Sequence, residues 1–473
     1  MRPLGLQIPV EDQSMPVKTT AFTAIAMTLI IAFPAQARKK SQPLPAAAPA
    51  LEIPLPSSPN ALTVRSYYER RQYPSIWLQS GREEAIGQLL AILRRAPLDG
   101  MTNGPAVAAQ VEASVQLSRA SNDPIAAKAT ELALSAAWLD YLAVLYRPST
   151  NVVYGDPALA KSPPRAETSL ALAEVAPSLV QHLLSVSQVN PIYSALREVA
   201  VAEAAANGGK ASDKIVLNLE RSRILPATGK YVFVNAAEQR LHMVENGQEV
   251  DSMKVVVGSK AKYGLPSPIV VGTINYAVAN PYWYVPPHLV RKFAPNIAKA
   301  PDAYLKAHGY EVIADASADP GIIPPKSIDW KAVAGGTQTA YLRQRPNGEN
   351  SMGKMKFPFP NGEGIYLHDT PKREYFDTAK WPNRALSNGC IRVEDYRRLA
   401  QWLSGRDIAA SGTSPEQFIL LPRGVPVYVT YLTIVPSSTG IISFEDRYGW
   451  DQPRIVAGGM DTTVGSPMVA EQR

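Results

Sequence analysis

Residues 231–257 read YVFVNAAEQRLHMVENGQEVDSMKVVV, and this stretch decides the fold. Tyr231-Val232-Phe233-Val234 leads to Arg240-Leu241-His242-Met243-Val244, then Asn246-Gly247, then Lys254-Val255-Val256-Val257. Apolar residues recur with period two, and Asn-Gly between two such runs supplies the positive backbone angles that a tight hairpin needs. The stretch therefore predicts antiparallel strands. His242 alternates with Leu241 and Met243, so it is expected on the opposite face from them as an ordinary strand residue. Further strands are expected at 269–275, 364–367 and 425–433. Between Pro281 and Arg345 the period is lost to Pro-rich loops and short helices such as Pro301–His308, which reads as an insertion on a β domain.

Upstream of Pro226 the period is helical. Ile86, Leu89, Leu90 and Leu93 share one face. Asp123-Pro124 and Asn190-Pro191 each place a capping side chain before a proline that fits the first helical turn, and Gly208-Gly209 ends the second of these helices. His182 lies among apolar residues and reads as a packed helix histidine. Nothing in this half carries chemistry; it reads as a scaffold. The expected fold class is α+β: a helical domain over 61–226, then a mostly-β domain over 227–435 with an insertion at 281–345 and a C-terminal extension over 436–473 that holds at most one more strand pair.

The N-terminus has a different grammar. From Met15, Lys18 is followed by an apolar run over 21–33, then Pro34 and Ala35-Gln36-Ala37: a charged region, an apolar region and a small-residue cleavage site. Thirteen apolar residues are too few to span a bilayer as a helix, which needs about 20. Residues 1–37 are thus expected to be a cleavable export signal with its start at Met15, followed by a Pro/Ala-rich linker over 38–60, in a periplasmic protein with no membrane span.

Composition bounds the chemistry. The 473 residues are 46% hydrophobic and 19% charged, which excludes a wholly disordered or fibrous chain. A net charge of +7 without long basic runs speaks against nucleic acid as a partner. A single cysteine excludes an intramolecular disulfide and any zinc site built from several cysteines.

That cysteine, Cys390, lies in Ser387-Asn388-Gly389-Cys390-Ile391-Arg392-Val393. The apolar face Val393, Tyr396, Leu399, Ala400 and Leu403 predicts a helix directly after it, whose N-terminus would lower the thiol pKa. Two readings of Cys390 stand: a nucleophile, or a buried structural thiol of the ordinary kind. A nucleophile needs a base, and five histidines are present. His368, in Gly364-Ile365-Tyr366-Leu367-His368-Asp369-Thr370, ends an apparent strand 22 residues before the thiol, so one loop brings the two to a common rim.

At these residues the sequence resembles the L,D-transpeptidases of the bacterial cell wall, whose pattern is a strand histidine followed by Ser/Thr-His-Gly-Cys, a hydrophobic residue and arginine. The likeness runs through Leu217-Asn218-Leu219-Glu220-Arg221, Val255-Val256-Val257-Gly258, Asn280-Pro281-Tyr282-Trp283 and Tyr366-Leu367-His368-Asp369-Thr370-Pro371, covering about 217–433. It is closest to the larger members with a helical scaffold and a lid, but no peptidoglycan-binding module fits between the helices and Asn218. Asn388 stands where many members carry a second histidine.

The resemblance implies Cys390 as nucleophile and His368 as base. The Asp369 carbonyl would orient the imidazole, and the amides of Gly389 and Cys390, with Tyr366, would hold the oxyanion. Asn388 would shape the turn by a hydrogen bond, Arg392 would order it or bind a substrate carboxylate, and Tyr282 and Trp283 would belong to a lid. It implies peptidoglycan stem peptides as donor and acceptor, no cofactor and no metal. Three outcomes stay open at this level: cross-linking between third residues of two stems, trimming with water as acceptor, or a wall-binding scaffold whose catalysis has lapsed.

Overall fold

Asp123 and Asn190 cap the helices that the sequence assigns to them, their side chains accepting from the amides of Ile125 and Tyr193. In the computed structural model, which describes residues 53–148, 152–261, 264–317, 319–410, 412–452, 454–456 and 459–461, the N-terminal half holds eight helices. They are α1 (Ala61–Arg70), α2 (Glu83–Arg95), α3 (Gly104–Ser121), α4 (Pro124–Leu145), α5 (Ala166–Val175), α6 (Leu179–Ser187), α7 (Pro191–Ala206) and α8 (Asp213–Ser222). The expected stripe Ile86, Leu89, Leu90, Leu93 is buried. It joins Trp77, Trp138, Tyr141 and Tyr193 in one core. His182 packs edge-on against Trp138, as a helix histidine in apolar surroundings should.

At the centre of these helices Asp99 is fully buried. Its carboxylate accepts from Tyr141 at 2.8 Å and Tyr193 at 2.6 Å, with Arg197 at 3.5 Å. A buried carboxylate would be costly without those donors. Arg223, just past α8, reaches the Asp99 carbonyl at 3.0 Å and so ties the helical core to the start of the β domain.

The strands are β1 (Val153–Tyr154), β2 (Lys230–Asn235), β3 (Arg240–Glu245), β4 (Gln248–Gly258), β5 (Val270–Ala279), β6 (Trp283–Tyr284), β7 (Tyr310–Ile313), β8 (Tyr341–Gln344), β9 (Met355–Pro358), β10 (Tyr366–His368), β11 (Ala385–Ser387), β12 (Ile391–Val393) and β13 (Gln417–Thr430). Asn246-Gly247 turns β3 into β4 with both residues at positive φ, as the pattern requires. The main sheet runs β5-β13-β2-β3-β4-β12-β10-β9, and β9 pairs back to β5, so the path closes on itself. β1, contributed from the helical half, pairs in parallel with the start of β5.

Register sorts the side chains of the closing strands. Leu367 is level with Ile391 and with Phe357, and all three are in the core together with Met355, Val255 and Val393. Their alternates Tyr366, His368, Arg392 and Lys356 therefore share the opposite face.

Three expectations are corrected. The stretch 281–345 is not free of strands: β6, β8 and β7 form a three-stranded antiparallel sheet. With α9 (Pro287–Ile297), α10 (Pro301–His308) and α11 (Trp330–Gly335), it builds its own core around Val290, Trp330 and Leu342. Strands of two to four residues are too short to display a period. No helix follows Cys390 directly, because Ile391–Val393 is β12, and α12 (Tyr396–Ser404) starts after it, capped by Asp395. The C-terminal extension holds two strand pairs, β14 (Ile434–Ser437) with β15 (Gly440–Ser443) and β16 (Arg454–Val456) with β17 (Gly459–Asp461). The export signal, and the linker up to residue 52, lie outside the described residues. Among the described residues no helix is long and apolar enough to cross a membrane.

Candidate active site

β10 and β12 run parallel, with His368 level with Arg392. Two steps back along both strands brings Cys390 level with Tyr366, so the lone thiol and His368 lie on the same outer face of the sheet. Gly389 precedes the thiol at φ +104°, and a Cβ there would come within 3.0 Å of the Ile365 side chain. Only glycine meets both conditions. The turn is held through its carbonyls: Ser267 Oγ donates to the Gly389 oxygen at 2.7 Å, and Ser387 Oγ to the Cys390 oxygen at 2.6 Å. Those side-chain bonds fix the Gly389–Cys390 and Cys390–Ile391 peptide planes.

The hydrogen bond expected of Asn388 is absent. Its half-buried side chain makes none among the described residues, and the two serines do that work instead. Ser267 is itself braced: Tyr448 of the C-terminal extension donates to the Gly258 carbonyl at 2.7 Å and accepts from the Ser267 amide at 3.3 Å.

His368 is 2% exposed. Its Nδ1 lies 2.6 Å from the Asp369 carbonyl oxygen. Since a carbonyl only accepts, Nδ1 carries the proton and Nε2 keeps its lone pair. Burial, with the Arg392 guanidinium adding to it, holds the ring's pKa down to about 3. The imidazole is therefore neutral at any physiological pH.

Asp369 is placed by its own side chain. The carboxylate accepts from the Lys354 amide at 2.9 Å and from Arg373 Nη1 at 3.0 Å. Gly353, at φ +64°, leaves the room, since a Cβ there would come within 2.4 Å of Asp369 Oδ2. Burial raises the Asp369 pKa despite these donors.

The thiol differs from its expectation. Cys390 Sγ donates to the Gly364 carbonyl at 3.7 Å. Burial pushes its pKa up, against the opposing pull of the Tyr366 amide and the Arg392 charge. With no helix terminus behind it, the thiol is protonated at rest. The pair is a neutral thiol beside a neutral imidazole rather than a preformed ion pair.

Tyr366 stands beside the thiol. Burial raises its pKa, and the neighbouring Cys390, Tyr276 and Glu416 add to that. Arg392 is largely buried with its guanidinium 5.8 Å from the Tyr375 ring centre, and its Nε has no hydrogen-bond partner among the described residues. Tyr282 and Trp283 lie at the base of the insertion. The Tyr282 ring lies under Arg343 at 4.2 Å and its amide donates to Glu416. Trp283 packs against Phe293 and Tyr310, in the insertion's own core. The structure thus gathers Cys390, His368, Gly389, Tyr366, Asp369 and Arg392, and directs Trp283 elsewhere. Sequence reasoning missed Ser267, Gly353 and Lys354; the one local signal was the pair of glycines at 353 and 364.

Comparison with known proteins agrees with this geometry. Residues 229–429 match the model of the L,D-transpeptidase catalytic domain, and residues 62–199 match that of a scaffold domain. Over residues 229–429 the chain is thus similar to the L,D-transpeptidase catalytic domain. A protein of Haemophilus influenzae, provisionally named an L,D-transpeptidase, is 27% identical over 248 residues, which are 51% of this chain and 48% of that protein. The chain thus spans about half the length of that curated relative. The L,D-transpeptidase family acts on peptidoglycan.

Proposed function

We propose that this protein is an L,D-transpeptidase that forms cross-links between the third residues of two peptidoglycan stems through a thioester on Cys390. The observation that carries the reading is the His368 tautomer: a neutral ring with Nδ1–H given to the Asp369 carbonyl and Nε2 free on the face that holds the thiol. Cys390 Sγ attacks the carbonyl of the donor's third residue while its proton passes to Nε2. His368 returns that proton to the nitrogen of the fourth-position D-alanine, which leaves. The side-chain amine of the acceptor's third residue then attacks the thioester and gives up its proton to Nε2. The thiolate recovers that proton, so the amide bond broken is replaced by the one formed and no ATP is needed. The amides of Gly389 and Cys390 would receive the oxyanion, with Tyr366 beside them. Arg392, with an unpartnered Nε, would take a substrate carboxylate.

Mass spectrometry of disaccharide-tetrapeptide incubated with the protein tests this. Cross-linked dimers support it; conversion to tripeptide alone would make the protein an L,D-carboxypeptidase using the same site with water as acceptor; no reaction would favour a lapsed, wall-binding scaffold. The export signal belongs to the same proposal, because the substrate lies outside the cytoplasm. N-terminal sequencing of the periplasmic protein should begin at Arg38, and intact residues 1–37 on that material would refute it.

A further inference from the structure

The face that carries the thiol continues past β10 onto strands whose outward residues have no role in the chemistry above. Lys356 of β9 is level with both His368 and Val278, Val278 is level with Phe418, and Tyr276 is level with Leu420. These residues therefore share the outer face with Tyr366 and Cys390. Phe418, Ile419 and Leu420 of β13 pair with β5, while β2 joins β13 only from Val427 onward. Phe418 is 62% and Leu420 75% exposed, although both are large and apolar. The Phe418 ring lies 5.5 Å from that of Tyr276, tilted at 44°. Tyr366, Tyr276 and Phe418 thus form an aromatic shelf on the face that carries the thiol. Its border is polar: Lys356 pairs with Glu416 Oε1 at 3.1 Å, while Glu416 Oε2 accepts no hydrogen bond among the described residues.

Resting on the functional reading above, we infer that this shelf binds the sugar rings of the glycan strand to which the donor stem is attached. Two arguments select that occupant. The first is reach. From the thiol, at the start of β12, Tyr276 on β5 is three strand steps away and Phe418 on β13 four, about 14 and about 19 Å at the usual spacing. A stem bound by its third residue spans about 10 Å in extended form. A donor laid across β10 and β9 therefore carries its first sugar toward Tyr276 and the sugar that follows over Phe418. The second is chemistry. A pyranose presents an apolar C–H face and a rim of hydroxyl and acetamido groups. The shelf offers aromatic rings for the face and a free carboxylate oxygen with a lysine for the rim. An apolar protein partner or a lipid would leave Glu416 Oε2 unused. An exposed apolar patch of this size beside an active site marks a binding surface.

The test uses two probes. Stem-free glycan strands are titrated calorimetrically into the Cys390→Ala protein, with and without Phe418→Ala and Leu420→Ser. Initial rates are measured on disaccharide-tetrapeptide and on free tetrapeptide. The glycan should bind saturably and weaken about tenfold or more in the double variant. KM for the disaccharide donor should rise about tenfold with kcat unchanged, the signature of lost uniform binding, while free tetrapeptide kinetics stay as they were. Phe418→Trp should keep glycan binding, since it keeps an aromatic face. Absence of glycan binding, binding indifferent to the two substitutions, or an equal loss on both donors would overturn the shelf. Turnover without glycan binding would sink this inference alone; glycan binding without turnover of any donor would sink the transpeptidase reading and leave the shelf standing.

Discussion

His368 on β10 and His242 on β3 are both largely enclosed strand residues of one sheet, yet they hold opposite charge states. His242 stacks on Phe233 at 5.1 Å, with Glu249 2.7 Å from Nδ1 and Glu238 3.1 Å from Nε2. Burial opposes its charge, but the two carboxylates outweigh burial and push its pKa up to about 9. His368 meets a peptide carbonyl and an arginine instead, and its pKa falls to about 3. A ring held at both nitrogens by carboxylates is a structural cation, with no lone pair left to accept a proton. A ring held at one nitrogen by a neutral acceptor keeps that lone pair. What separates a base from a strut here is the partner set, not the residue or the strand.

The sharpest way to break the comparison is to delete each ring. His368→Ala should cost at least about 100-fold in thioester formation with a carbapenem, read as adduct mass against time, as loss of a general base commonly does. Cys390→Ala should give no adduct at all. His242→Ala should stay within about twofold of wild type, and a collapse of activity there would erase the distinction. The acylation rate of the wild type should be nearly level from pH 5 to 8, because His368 remains neutral throughout. An inflection near pH 6.5 would mean that the imidazole titrates in the working range.

Next in size is stability against pH, where the two rings should act in opposite directions. His368 is depressed from 6.5 to about 3, so between those values the unfolded chain binds the extra proton. Its contribution is complete above pH 6.5 and is lost as pH falls through that window. His242 is raised from 6.5 to about 9, so its contribution is complete below pH 6.5 and is lost as pH rises toward 9. Thermal melts of His368→Gln should flatten the acid limb, and melts of His242→Asn the alkaline one. Unaltered limbs in either variant would contradict the assigned partners.

Ser267→Ala comes third. It removes a donor from the buried Gly389 carbonyl and an acceptor from the Gly258 amide, and should cost about 1–3 kcal/mol in denaturant unfolding. The smallest effect belongs to Asn388. With no hydrogen bond to lose, Asn388→His and Asn388→Leu should both acylate within about tenfold of wild type, about 1.4 kcal/mol of barrier. A Leu variant much slower than the His variant would show that position 388 touches the substrate.

The hairpin at Asn246-Gly247, the helix starts at Asp123 and Asn190, and the placing of His368 at the end of a strand were legible because each depends on local pattern. Val393 of the strand at 391–393 was read as the start of a helix, because it falls three residues before Tyr396 and extends the stripe of a true amphipathic helix. The insertion's sheet was hidden by strand length. The protonation of His368 and Cys390 was hidden for a different reason: it depends on burial and on Arg392 lying across from His368, a fact of register between residues 24 apart in sequence. Likewise Tyr448 braces the catalytic turn through Ser267 from 181 residues away in sequence, which no local window contains.

Gly155 follows β1 at the point where the helical half contributes its strand to β5, and a Cβ there would come within 1.5 Å of the Pro360 carbonyl oxygen, in the loop between β9 and β10. The helical segment is therefore stitched into the sheet beside the strand that presents His368. Such a join limits how this gene can be rearranged. A catalytic domain transplanted from 227 onward would arrive with the start of β5 uncovered, a ready template for intermolecular pairing. Lineages that trade scaffolds must carry the short strand and its glycine along, or replace them with something equally slim.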